Sequence, residues 1–262
     1  MQALRTAATG MAAQQLNVEV ISNNIANMNT VGFKRQRAEF EDLLYQTLQQ
    51  AGAQSSDQGN VVPTGVQIGA GVRAGSVYRI TTQGTLTQTG NAFDLAINGP
   101  GYFQVLLPDG ETAYTRAGNF SVNDQGQMVT ADGYLVQPSI AVPPNATQVT
   151  ISQQGQVEAA VPGQNAPQVV GQIVLATFVN QAGLEAQGSN LFMESAASGP
   201  PVTGNPGSPG VGVTDQGYVE ASNVDPVSEI TALIVAQRAY EMNSKVVTTA
   251  DQMLQTASSV KS

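Results

Sequence analysis

Two apolar stripes with a seven-residue period, one at each end of the chain, constrain the fold more than any other feature. Near the N-terminus Leu4, Met11, Val18 and Ile25 recur every seven residues, with Ala7, Gln14, Ile21 and Met28 three places later. This is the a/d seam of a helix packed against another helix, interrupted once by a glutamine. About 26 helical residues would span roughly 39 Å. The pattern predicts a stop around Asn27–Asn29, since asparagine tolerates left-handed backbone and Gly32 follows closely. At the other end Leu233, Tyr240, Val247 and Leu254 repeat the spacing, flanked by Ala232, Ala239, Val246 and Met253 and by Ala236, Ala250 and Ala257. Asp225–Pro226 supplies the start, with an acid beside the positive helix end and proline in the first turn. An isolated helix with such a stripe leaves it in water, so it needs a partner. The economical partner is the other terminus, and the sequence therefore predicts an antiparallel helical pair.

The middle of the chain follows a different period. Tyr102–Leu107, Thr112–Arg116, Phe120–Val122, Gln127–Thr130 and Tyr134–Gln137 are short strand-like runs. Pro108–Gly110, Asn123–Gly126 and Ala131–Gly133 separate them with turn chemistry. Thr147–Ser152 alternates strictly, and Gln172–Val179 reads as a more buried strand. The spacing predicts a central antiparallel β-rich domain over 66–194 and hence an α+β protein with long terminal helices pairing as a coiled coil. Residues 199–212, rich in glycine and proline, read as an irregular connector.

Composition removes whole classes of function. At 262 residues and 41% hydrophobic content the chain can bury a real core, while only 11% of residues are charged. A surface of uncharged hydrogen-bonding groups suits dense packing against neighbours. Net charge is −9 and the ten basic residues are scattered, so no face is built for nucleic acid or for an anionic membrane. The chain has neither cysteine nor histidine, which removes thiol chemistry, the commonest general base and the commonest zinc ligand. No catalytic, cofactor or metal site and no small-molecule substrate are expected. Ala7–Leu16 is broken by Gly10, Gln14 and Gln15, so the N-terminus does not read as a cleaved signal peptide. On composition alone the chain reads as cytosolic.

Three local patterns imitate chemistry. Gly69-Ala-Gly71-Val-Arg-Ala74 matches a dinucleotide fingerprint loosely, but Ser76–Thr82 alternates like a strand where that motif needs a helix. Asp94, Asp109, Glu111, Asp124 and Asp132 offer carboxylate pairs of the kind a glycosidase uses, although three of them sit beside glycine in turns. The asparagines Asn23, Asn24, Asn27 and Asn29 either satisfy free carbonyls at a helix end or form a polar lock between subunits. Both readings stay open on spacing alone.

Ser22-Asn-Asn-Ile-Ala-Asn-Met-Asn-Thr-Val-Gly-Phe-Lys34 resembles the N-terminal signature shared by flagellar rod and hook proteins. Gln237-Arg-Ala-Tyr-Glu-Met-Asn-Ser-Lys245, followed by Asp251-Gln-Met-Leu254, resembles their C-terminal signature. Thr85–Thr89 and Phe93–Val105 resemble their central β segment. The likeness covers essentially the whole chain, with three motifs in the family's order. Phe40–Gln46, continuing through Ala53–Gln58 to Pro63, looks like the insertion that separates distal-rod subunits from hook subunits.

The resemblance implies a structural, non-catalytic subunit of the flagellar distal rod, polymerising helically into a rigid hollow shaft that transmits torque and conducts exported subunits. A hook or other rod subunit is the alternative within the class, and a secreted carbohydrate-active enzyme the alternative outside it. It also implies a three-part plan: 1–28 with 227–262 as the inner assembly domain, 29–65 with 195–226 as a connecting domain, and 66–194 as the outer domain. The expected self-assembly residues are Leu4, Met11, Val18, Ile21, Asn23, Asn24, Ile25, Asn27, Gly32, Phe33, Leu233, Tyr240, Asn243, Val247 and Leu254. Tyr45, Gln46, Gln54, Ser55, Ser56 and Pro63 would mark the rod-specific insertion. The implied partners are further copies of itself, proximal rod and hook subunits, the P-ring and L-ring bushing, and a rod-cap protein. The implied location is the basal body, from periplasm to outer membrane. The family's type III export route uses no cleaved signal peptide, which replaces the cytosolic reading.

Overall fold

The computed structural model describes residues 2–52, 63–163 and 166–260. It is an α+β protein, with a helix at each end and β-structure between them. The chain divides into two compact units. One comprises Met1–Ile25, Gln36–Tyr78 and Asp225–Ser262, and the other Ala26–Arg35 and Arg79–Val224.

The first unit carries the terminal helices, α1 (Gln2–Ala26, 25 residues) and α2 (Pro226–Val260, 35 residues). The Asp225 carboxylate accepts from the Val227 N–H and the Ser228 hydroxyl, so α2 starts where Asp-Pro predicts. The helices run in opposite directions. The Asn24 side-chain amide donates to Glu229 Oε2 at 3.1 Å, and a Cβ on Gly10 would lie 3.0 Å from Asn243 Nδ2. A side chain at position 10 would therefore require the Asn243 amide to shift. Strands Gln36–Asp42 and Val72–Arg79 form one two-stranded ribbon. Tyr45–Gln49 and Val66–Gly69 form an antiparallel second, in which Tyr45 faces Gly69 and Gln46 faces Ile68. Every residue of Tyr45–Gln49 is exposed. The sequence reading missed this hairpin because its two strands flank a long insertion instead of a tight turn.

The second unit is built on a nine-stranded sheet. Its main path runs Glu185–Gly188, Leu191–Met193, Thr112–Thr115, Tyr102–Leu106, Leu135–Gln137, Met128–Val129 and Ser121–Val122. All neighbours in it are antiparallel. Leu175–Thr177 branches from Tyr102–Leu106 and carries Val202–Gly204 on its far side. A three-stranded meander, Gln148–Ile151, Gln156–Ala160 and Gln168–Gln172, contributes Val149, Ile151 and Val157 to the same core as Phe103, Phe120, Met128 and Leu175. The central strand explains its own composition. Phe103 and Val105 enter this large core, while Tyr102 joins a second cluster with Tyr114, Phe178 and Phe192. Alternate side chains point to opposite faces and both faces are covered, so the run is apolar almost throughout. Tyr114 and Phe178 meet edge-to-face at 4.8 Å.

Two local expectations are corrected, and the strand expected after the paired glycines is present. Residues 199–212 are not wholly irregular: Val202–Gly204 is a strand, and the Pro206 ring is buried, 2.7 Å from where a Cβ on Gly155 would lie. Val202 and Thr203 are β-branched and find a free sheet edge, which local composition cannot reveal. The expected single strand Gln172–Val179 is split between Gln168–Gln172 and Leu175–Thr177. The glycines at 69 and 71 join two strands, with no helix behind them to hold a phosphate.

Candidate assembly surface

Most of the residues expected to bind other subunits sit on α1 and α2, and of these Asn23, Tyr240 and Leu254 are exposed. On α1, Leu4, Met11, Val18 and Ile25 are half-buried and Ile21 is buried. The deepest positions are Ala7, Ala13, Val20, Ile21 and Asn24, turned from the simple seven-residue line. The reason lies in strands of the same unit that touch α1. Thr9 Oγ1 accepts from the Val72 N–H at 3.3 Å, and the Gln2 amide donates to Gln46 Oε1 at 2.9 Å.

On α2, Leu233, Asn243 and Val247 are half-buried, while Tyr240 and Leu254 remain 42% and 47% exposed. Asp251–Ser259 is exposed throughout. The Asn24–Glu229 and Gly10–Asn243 contacts place the last turns of α2 beyond the start of α1, which accounts for that exposure. Val235, Met242, Val246 and Met253 form a further exposed apolar line on the same helix.

The asparagines do different things. Asn24 is buried and clamps Gln36 in both directions, its amide donating to the Gln36 carbonyl and its oxygen accepting the Gln36 N–H, each at 2.8 Å. Asn23 is exposed, and the Asn27 carbonyl accepts from the Thr30 N–H in the turn after the helix. Gly32 has φ of +71°, and a Cβ there would meet the Ala117 backbone nitrogen at 2.6 Å. That contact requires glycine. Phe33, beside it, is half-buried. In the hairpin Tyr45 is 58% exposed, and Gln46 and Pro63 are exposed as well. Gln54, Ser55 and Ser56 lie outside the described residues.

The sequence reading missed the most polar part of the second unit. Glu220 is fully buried and holds two cations: Lys34 Nζ donates to its Oε1, and Arg116 Nε donates to its Oε2 at 2.8 Å. Arg116 Nη1 also donates to the carbonyls of Gly99 and Gly101, and Lys34 Nζ to that of Thr82. Burial holds the Lys34 ammonium below the usual lysine range, against the opposing pull of Glu220. In a chain with so few charges, Lys34 directly after Gly32-Phe33 was the signal available. Nothing in spacing pointed from it to Glu220, 186 residues away.

The carboxylates considered for catalysis have conformational work or none. Asp94 is buried, accepting from the Thr89 hydroxyl and the Asn91 amide, while Asp109, Glu111, Asp124 and Asp132 are exposed. Among the described residues no cluster of three or more potential metal ligands occurs, and no helix is long and apolar enough to cross a membrane.

Comparison with known proteins decides the family. Residues 4–34 match the family described as flagella basal body rod protein. Residues 96–159 match the D1 domain of flagellar hook protein FlgE/F/G, and 215–260 the C-terminal region of flagellar basal body rod FlgEFG proteins. The flagellar basal-body rod protein FlgG of Caulobacter vibrioides is 71% identical over 262 residues, covering all of both chains. The chain belongs to the flagellar basal-body rod protein family. FlgG of Bacillus subtilis is 42% identical over 97% of both chains. FlgF of Caulobacter vibrioides, another rod protein, is 38% identical over 87% of this chain and 85% of its own. Rod proteins of this family are structural and not enzymes, and their place is the flagellar basal body. The two terminal matches contain most of α1 and all of α2, the elements that carry the exposed apolar residues described above.

Proposed function

We propose that the chain is the distal-rod subunit, which polymerises helically into a rigid hollow shaft that transmits torque and conducts exported subunits. The observation that carries this reading is the apolar surface left on α2, where Ile230, Ile234, Val235, Met242, Val246, Met253 and Leu254 are all 47% or more exposed. Water contact at so many large side chains on one helix is unfavourable, and burial by neighbouring copies removes it. Distal placement rests on the higher identity to FlgG than to FlgF over a longer share of the chain. In the shaft α1 and α2 pair as an antiparallel coiled coil in the inner assembly domain (1–28 with 227–262). Residues 29–65 with 195–226 connect it to an outer domain, 66–194. The named residues on α1, α2 and the 27–33 turn form the self-assembly contacts.

The partners are further copies of the chain, proximal rod and hook subunits, the P-ring and L-ring bushing and a rod cap. Export proceeds through the flagellar type III apparatus without a cleaved signal peptide, and the shaft runs from periplasm to outer membrane. The 46–63 segment straps onto an axially adjacent subunit and limits sliding. Leu44, Tyr45, Leu48, Val66 and Ile68 support this, since all are exposed on a two-stranded ribbon that has little stability of its own.

Electron micrographs of the purified chain under assembly conditions test the class, and straight hollow tubes are the expected result. Deleting residues 46–63 should leave tubes that curve or flex. Straight tubes of normal stiffness from the deletion would remove the strap, and no tubes from the intact chain would remove the shaft.

A further inference from the structure

The first unit carries two features that fit each other but lie on different sides of α2. A groove of about 450 Å³ between the helices is lined by Gln15, Val18 and Glu19 of α1 and by Gln237, Tyr240 and Glu241 of α2. Its apolar lining is Val18 and Tyr240, its polar lining includes the exposed carboxylates Glu19 and Glu241, and among the described residues no basic side chain lines it. The ridge is the line Val235, Met242, Val246 and Met253, exposed at 62, 64, 47 and 69%. At about 100° per residue these four fall within roughly 40° of one another, and Tyr240 stands about 140° round the helix from their mean direction. The ridge therefore cannot fill the groove of its own chain. Arg238 and Lys245 lie together along one side of the ridge, about 60–80° round the helix. Both are exposed and neither has an ion-pair partner among the described residues, although Glu241 is within one turn of each.

We propose that the ridge of one copy seats in the groove of the next, with Arg238 and Lys245 facing the Glu19 wall. Apolar lining meets apolar ridge, and an acidic wall meets a basic flank. Because the two surfaces differ, the contact is heterologous. Each copy donates a ridge and offers a groove, so the association extends without closing on a pair. This assignment rests on the proposed polymerisation and adds which faces meet.

The chain has no cysteine, so introduced thiols report contacts without background. Val18→Cys and Met242→Cys chains are oxidised separately, mixed, and as the double variant, with polymer measured in parallel by sedimentation. The mixture should give covalent dimers that neither single variant gives, and the double variant should give a ladder extending beyond the dimer. Dimers from Met242→Cys alone would show ridge on ridge and overturn the assignment. Polymer that sediments normally without any disulfide joining positions 18 and 242 would also overturn it, while leaving the shaft reading intact. The absence of both polymer and product would overturn both. A second arm uses charge. Glu19→Lys and Lys245→Glu should each raise the critical concentration roughly tenfold, and the double variant should return it towards wild type. Singles that assemble normally, or a double variant no better than either single, would overturn the pairing even if the thiols react.

Discussion

Glu220 shows how much a single residue can hold in a chain with few charges. It is one carboxylate between two buried cations, tying the segment after α1 to a strand near residue 220 and to the Gly99–Gly101 turn through Arg116. The Gly84 N–H and the Gly32 N–H complete its contacts, the first to Oε1 and the second to its backbone carbonyl. Such a cluster adds little net stability over an apolar equivalent, but breaking it leaves buried charges uncompensated. Glu220→Gln keeps the shape and removes the anion, so it should destabilise the second unit by about 3–5 kcal/mol. Denaturant unfolding followed by tyrosine fluorescence measures this. A loss below about 1 kcal/mol would mean that the cations find other compensation.

At the scale of elements, the two helices were legible because their period of seven is long, regular and independent of tertiary detail. The β runs between Tyr102 and Gln137 were legible for a similar reason, since glycine- and aspartate-bearing turns punctuate them at short intervals. What escaped was pairing over distance. The hairpin of Tyr45–Gln49 with Val66–Gly69 and the edge strand Val202–Gly204 each depend on a partner that no local pattern names. The rotation of burial on α1 toward Ala13, Val20 and Asn24 escaped likewise, because it reflects strands lying against the helix. Burial also differs sharply between elements. Asp251–Ser259 has no buried residue, whereas Leu95–Ile97 and Phe103 are fully enclosed. Hydrogen exchange of the monomer should be fast over 251–259 and slow over 95–105, and polymerisation should slow the first set selectively. Strong protection of 251–259 in a verified monomer would contradict this.

For the whole molecule, the division into units separates folding from assembly. Leu254 is 47% exposed, so Leu254→Asp should change unfolding free energy by less than about 0.5 kcal/mol. If the proposed contact covers position 254, the same carboxylate would be buried unpaired in every copy, and the penalty would recur at each contact. Loss of sedimenting polymer with an unchanged denaturation curve is the expected result. Normal polymer from Leu254→Asp would place that face of α2 outside the contact.

The groove between α1 and α2 has a consequence in time. One wall comes from residues 15–19 and the other from 237–241, so it does not exist until nearly the whole chain is present. The second unit, by contrast, draws almost entirely on one continuous stretch, Arg79–Val224. A chain delivered end first, or cut short between that stretch and Gln237, can complete that unit yet offer its neighbours no seat. With the proposed seat, the first and last segments together would act as a check that both ends are present before a neighbour is added.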